Sequence, residues 1–212
     1  LLLTLDAWRM KSEAGRAKSH VAAGRQVFVM EGVWLFVLAV NFWNIFGAGV
    51  FGSLINLPIV NYYEHATYMT GNHAHAAMFG VKGNIALGGM LFCGQHLLPK
   101  ALWNEKLIKT SFWSLQIGLL MMMTMDLFPI GMYQLMIVFQ EGLWYARSQE
   151  ILTGPVWRFF TYARSIGGTL FIVGGVFPLI WLFVSRAGSL RKETPELEQE
   201  GEWTVYEKDW AA

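Results

Sequence analysis

Charge is what this sequence has least of. Only 15% of its 212 residues are Asp, Glu, Lys or Arg, where a soluble domain carries roughly a quarter. With 54% of residues hydrophobic, an ordinary water-facing surface is excluded. A net charge of +1 gives no electrostatic case for binding nucleic acid. Cysteine is nearly absent: Cys93 stands alone, which excludes a disulfide framework and a cysteine metal cluster. It lies in an apolar segment, so we expect a buried small hydrophobe there. The first residues, Leu-Leu-Leu-Thr-Leu, lack a Met and precede Asp6, Arg9 and Lys11. A signal peptide carries its positive charges before the apolar run, not after it. Leu1–Leu5 is also too short for a bilayer, which takes about 20 residues. The expectation is that 1–8 ends a transmembrane helix begun earlier, making the chain a C-terminal piece of something larger.

What the sequence does have is long apolar, aromatic runs, with ten Trp and fifteen Phe. After a basic loop over 9–26, four runs are long enough to cross a bilayer: about Val27–Phe51, Tyr68–Leu97, Lys109–Phe139 and Trp157–Val184. Gly52–Val60 reads as an exit loop, and Asn61–His65 is polar and aromatic, as at a membrane–water interface. Asp126 and Pro129 predict a kink or break within the third run. The expected architecture is an all-α, polytopic transmembrane bundle of about four spans plus the end of a fifth. Residues 27–185 form its membrane segment and 186–212 a charged, solvated tail. Arg9, Lys11, Arg16, Lys18, Arg25, Lys100, Lys106, Lys109, Arg186, Arg191 and Lys192 fall on one side. Arg147 and Arg158, with Arg164 just inside, fall on the other. The positive-inside rule makes the richer side cytoplasmic and turns His65 outward.

The second run opens with Asn72-His-Ala-His-Ala-Ala-Met-Phe-Gly80. Helical residues advance about 100° each, so His73 and His75 point roughly 200° apart. They cannot share one ion as an i, i+4 pair does, but they can offer one imidazole to a flat cofactor on each side. Ala74, Ala76 and Ala77 leave room for such a group. Imidazole is a standard haem ligand, and intramembrane ionisable groups are functional by default. Polar membrane residues also bond headgroups or neighbouring helices. Taken alone, the residues leave both readings open.

His65-Ala-Thr-Tyr-Met-Thr-Gly-Asn-His73-Ala-His75 resembles the signature of the haem-copper oxidase catalytic subunit, His-x-Thr-Tyr followed by His-x-His. Asn56–Glu64, Ala76–Gly80, Asp126–Pro129 and Glu141–Ser148 are similar to its nitric oxide reductase branch, and more to the quinol-dependent form than to the cytochrome-linked one. The resemblance covers about Leu3–Ser185 and implies a part of a larger bundle of that type. It implies that His73 is the catalytic, proximal ligand of a high-spin haem and His75 an axial ligand of a low-spin haem, both haems b-type. His65 and Thr70 would hydrogen-bond haem propionates. The activity implied is reduction of two nitric oxide molecules to nitrous oxide and water, with quinol, or a cytochrome, as electron donor. The non-haem iron of that branch takes three His and a Glu from earlier helices, so its ligands lie outside this chain. The implied setting is a bacterial or archaeal cytoplasmic membrane, with the histidine end toward the periplasm and the tail cytoplasmic.

His20 and His96 complete the five histidines and read as surface residues that cannot supply the missing ligands. Glu31 and Asp126 could serve a proton path or a quinol contact, or simply bond Gln116, Gln134 or Asn41 on other helices. Lys82 departs from the aromatic or small residue that the resemblance suggests after Gly80-Val81, and must pair or snorkel. Met121–Met125 reads as adaptable packing. Three rival functions remain: an oxygen-reducing haem-copper oxidase, a non-enzymatic haem-binding or assembly protein, and a transporter relaying protons through its histidines. A repeat of the spans, as transporters carry, is absent.

Overall fold

The computed structural model describes residues 31–97 and 103–185. The stub 1–8, the basic loop 9–26, the tail 186–212, His20 and Lys100 lie outside the described residues, as do the side chains of Glu31 and His96. The described part is helical. Four helices are long and apolar enough to cross a membrane: α1 (Gly32–Asn56), α3 (Tyr68–Gln95), α4 (Glu105–Glu141) and α6 (Pro155–Val184). Two short helices, α2 (Pro58–Glu64) and α5 (Gln149–Leu152), lie in the connections. The chain is a multi-pass membrane bundle.

One local expectation needs correcting and a second is met in another form. Gly52–Val60 is not a loop: α1 continues to Asn56, Leu57 alone is extended (φ −67°, ψ 124°), and α2 starts at Pro58. A residue before proline is pushed out of the helical region, while proline suits a helix's first turn. Asn56 Nδ2 donates to Gly52 O at 2.7 Å and helps end α1. The third span does not break at Pro129. Its backbone widens into π-type turns over Met123–Leu127, and Pro129 sits in the first turn of the segment that follows. The wide turn changes the hydrogen-bond register where proline would otherwise clash with a carbonyl four residues back. Similar wide turns occupy Asn44–Phe51, Ala76–Gly83 and Leu170–Val176, one in each span.

In lipid, apolar side chains gain nothing from leaving the medium, so helices associate through close backbone approach and interhelical hydrogen bonds. Both are present. A Cβ on Gly47 would run into the Ala76 Cβ, and one on Gly80 would lie 2.5 Å from the Trp43 ring. Glycine here lets α1 and α3 touch. Gly118 and Gly167 do the same for α4 and α6: a Cβ on either would lie 2.9–3.0 Å from the other's carbonyl oxygen. A polar chain then ties three spans: Trp43 Nε1 donates to Gln116 Oε1, Gln116 Nε2 to Asn84 Oδ1, and Asn84 Nδ2 to Gly80 O, each at 2.8 Å. Each such bond contributes about 0.6–2 kcal/mol in a membrane. Phe36 meets Phe112 edge-on at 5.1 Å, and Phe79 meets Phe171 at 4.5 Å. The central helix is α4, packed against α1, α3 and α6.

Cys93 is exposed rather than buried. Apolar composition cannot separate a core position from a lipid-facing one, because both media are apolar. Of the methionine run, Met123 is buried while Met125 is 43% exposed, so only part of it packs the core. Gly80→Leu should lower stability in detergent by about 1–3 kcal/mol through overpacking. Gly89→Leu, at a position with open space, should stay near neutral; thermal unfolding followed by circular dichroism compares the two.

Candidate functional site

The histidine helix is set in place by the reversal before it. Ala66 adopts φ 58°, a left-handed conformation uncommon outside glycine. It is held there by Glu64 O, which accepts from Thr67 N (2.9 Å), Thr67 Oγ1 (2.7 Å) and Thr70 Oγ1 (3.1 Å). Thr67 also caps α3 by accepting from Met69 N at 3.3 Å. Gln134 of α4 spans the junction: its Oε1 accepts from Tyr68 N at 3.0 Å and its Nε2 donates to Ala146 O at 3.1 Å. Arg147 Nη2 donates to His65 O at 2.9 Å.

From this anchored start the two imidazoles diverge. His73 lies against α1, with its ring beside Gly52 and its Nδ1 2.8 Å from Gly47 O. His75 folds back along its own helix, with Nδ1 2.8 Å from Gly71 O. A carbonyl oxygen only accepts, so both Nδ1 atoms carry the proton. In the neutral ring Nε2 then keeps a free lone pair, the state in which imidazole binds a metal while a backbone partner fixes the ring. Both rings are half-buried. This donor chemistry fits two separate haem irons. Among the described residues no group of three His, Cys, Asp or Glu could hold a metal ion.

The small residues share the work differently from the expectation. Ala76 is fully buried against Gly47 and serves helix contact, whereas Ala74 is exposed and Ala77 half-buried. Thr70 gives its hydroxyl proton to Glu64 O and, so placed, has none left for a propionate. The His65 side chain is exposed at the end of α2. Lys82 is exposed. Asp126 bonds none of the amides expected. Gln116 and Gln134 are engaged as above, Asn41 donates to Val37 O at 2.9 Å, and Asp126 faces Arg164, Oδ2 to Nε 3.4 Å.

Sequence reasoning missed three participants. The Gly47 carbonyl has no sequence signal, since any residue supplies one. Glu64, inside an aromatic interfacial stretch, proves 4% exposed with Oε1 unpartnered. Its signal was a lone acid just before the histidine motif. Burial pushes its carboxyl above the ordinary glutamate range, and the nearby His73 partly offsets this. Arg164 was read only as a topological charge.

Residues 20–170, well over half of the chain, match the family described as Cytochrome C and Quinol oxidase polypeptide I. None of the curated proteins compared matches the chain.

Glu64 generates a pH prediction. Its raised value means the folded state favours the protonated acid. The associated stability is therefore fully present below the unfolded value of about 4.3 and declines as pH rises through the folded one. Infrared difference spectra should show a protonated carboxyl persisting above the ordinary glutamate range and absent from Glu64→Gln. An ordinary titration, unchanged by the substitution, contradicts the burial argument.

Proposed function

The chain belongs to the Cytochrome C and Quinol oxidase polypeptide I family, the haem-copper oxidase subunits I, and on that premise we propose that it carries half of a nitric oxide-reducing centre. Members of the family are haem-binding oxidoreductases working with electron donors in a lipid bilayer. The observation that carries the reading is the matched state of two diverging imidazoles. Each is pinned through Nδ1 to a backbone carbonyl, and each leaves Nε2 for iron.

His73 would hold a b-type high-spin haem, which would supply the site at which two nitric oxide molecules are reduced to nitrous oxide and water with two electrons and two protons. His75 would hold a b-type low-spin haem, which would supply electrons drawn from quinol. The haems supply the redox chemistry when bound. This chain orients the rings: Gly47 fixes the plane of one, Gly71 that of the other. His65, at the outer edge, donates to a propionate, and Thr70 joins it once its hydroxyl turns from Glu64 O. A non-haem iron beside the high-spin haem takes its ligands from helices other than these. The setting is a bacterial or archaeal cytoplasmic membrane with the His65 end toward the periplasm. Nitric oxide rather than oxygen rests on the likeness of Asn56–Glu64, Ala76–Gly80, Asp126–Pro129 and Glu141–Ser148 to that branch. The family's description as oxidases favours the second reading, oxygen reduction.

In the full-length protein, His75→Ala should remove the low-spin haem's optical signal and spare the high-spin haem. His73→Ala should do the reverse and bring nitric oxide consumption to background. Two intact haems and full turnover in both variants would sink the proposal. Rapid oxygen consumption with none of nitric oxide in the unaltered protein selects the second reading.

A further inference from the structure

The buried charges of the bundle are not explained by stability. Asp126 has no exposed surface, and its one close partner is Arg164, itself 34% exposed, at 3.4 Å. Neither Asp126 oxygen receives a hydrogen bond. Replacing such a pair by apolar side chains is often neutral or stabilising, and ionisable groups inside a membrane are costly. Something other than packing accounts for a carboxylate here.

Its position indicates what. Asp126 lies in the wide turn Met123–Leu127, which packs on the Tyr68–His75 segment of α3. The His75 ring folds back to Gly71, and the open face of Gly71 looks onto Leu127, whose Cδ2 lies 3.9 Å from where a Cβ would stand. Asp126 is the residue next to Leu127, and its charge is within electrostatic reach of both Arg164 and His75. Arg164 reaches Asp126 from α6, whereas the turn that carries Asp126 packs directly on the histidine segment. The carboxylate is therefore the member of the pair set toward His75.

We infer that the Asp126–Arg164 pair sets the reduction potential of the haem held by His75, with the Asp126 carboxylate lowering it and Arg164 standing beside it as counter-charge. This rests on the reading of His75 as a haem ligand. Reduction adds one electron to the iron, and a fixed negative charge nearby opposes that addition. In a low-dielectric interior the opposition is large and little affected by salt. Asp126 touches neither substrate nor iron and acts through the field alone.

The test is a spectroelectrochemical titration of the full-length holoprotein. Asp126→Asn should raise the midpoint potential of the low-spin haem. A tenfold change in the reduced-to-oxidised ratio, about 59 mV for one electron, is the expected scale, and it should persist at high salt. Arg164→Lys, which keeps the cation, should leave the potential in place. If Asp126→Asn assembles poorly, the double variant Asp126→Asn, Arg164→Gln removes both charges and should raise the potential likewise. An unchanged or lowered potential, with both haem bands intact, overturns the inference. Failure of the underlying reading looks different: the low-spin haem would then survive His75→Ala.

Discussion

The structure depends on the bond between His73 Nδ1 and Gly47 O. A membrane span must satisfy its own backbone polar groups, because lipid offers no partners. A carbonyl whose own helical bond is displaced by a widened turn is freer to accept from a side chain on another span. The wide turns Asn44–Phe51 supply that displacement, and π-type turns tend to sit at functional positions for this reason. The imidazole can reach the carbonyl because Gly47 and Gly52 carry no side chains to hold α3 away from α1. One donor, one widened turn and two glycines thus fix both the tautomer and the orientation of the ring.

The remaining interactions can be read as support for that arrangement. The triple acceptance at Glu64 O fixes where α3 begins, and Gln134 ties the same point to α4. The Trp43–Gln116–Asn84 chain locks the depth of α3 against α1 and α4. Two buried carboxylic acids flank the histidine helix, Glu64 within the influence of His73 and Asp126 within that of His75. They differ in their neighbours: Asp126 has the Arg164 cation 3.4 Å away, whereas Glu64 Oε1 has no hydrogen-bond partner. Two chemically identical imidazoles, two residues apart, therefore stand in different electrostatic surroundings.

Much of this was legible in the sequence. Span number and approximate extent follow from apolar length, since the bilayer imposes one thickness on every helix. The divergence of His73 and His75 follows from helical periodicity. What was hidden depends on contacts between distant residues. Nothing near Asp126 in the chain announces Arg164, and a backbone acceptor such as Gly47 O is invisible to residue identity. Apolar composition placed Cys93 wrongly because core and lipid look alike. Pro129 marked the irregular part of its span but not its form, because the effect of a proline depends on whether the chain before it has already left α-helical register.

The central claim is that His73 holds an iron through Nε2 while Gly47 holds its Nδ1 proton. The resonance Raman spectrum of the reduced full-length protein tests this most directly, because it reports the iron–histidine stretch of a five-coordinate haem. The account predicts a band that shifts on labelling histidine with heavy nitrogen and disappears in His73→Ala. The same band, undiminished in that variant, would contradict it.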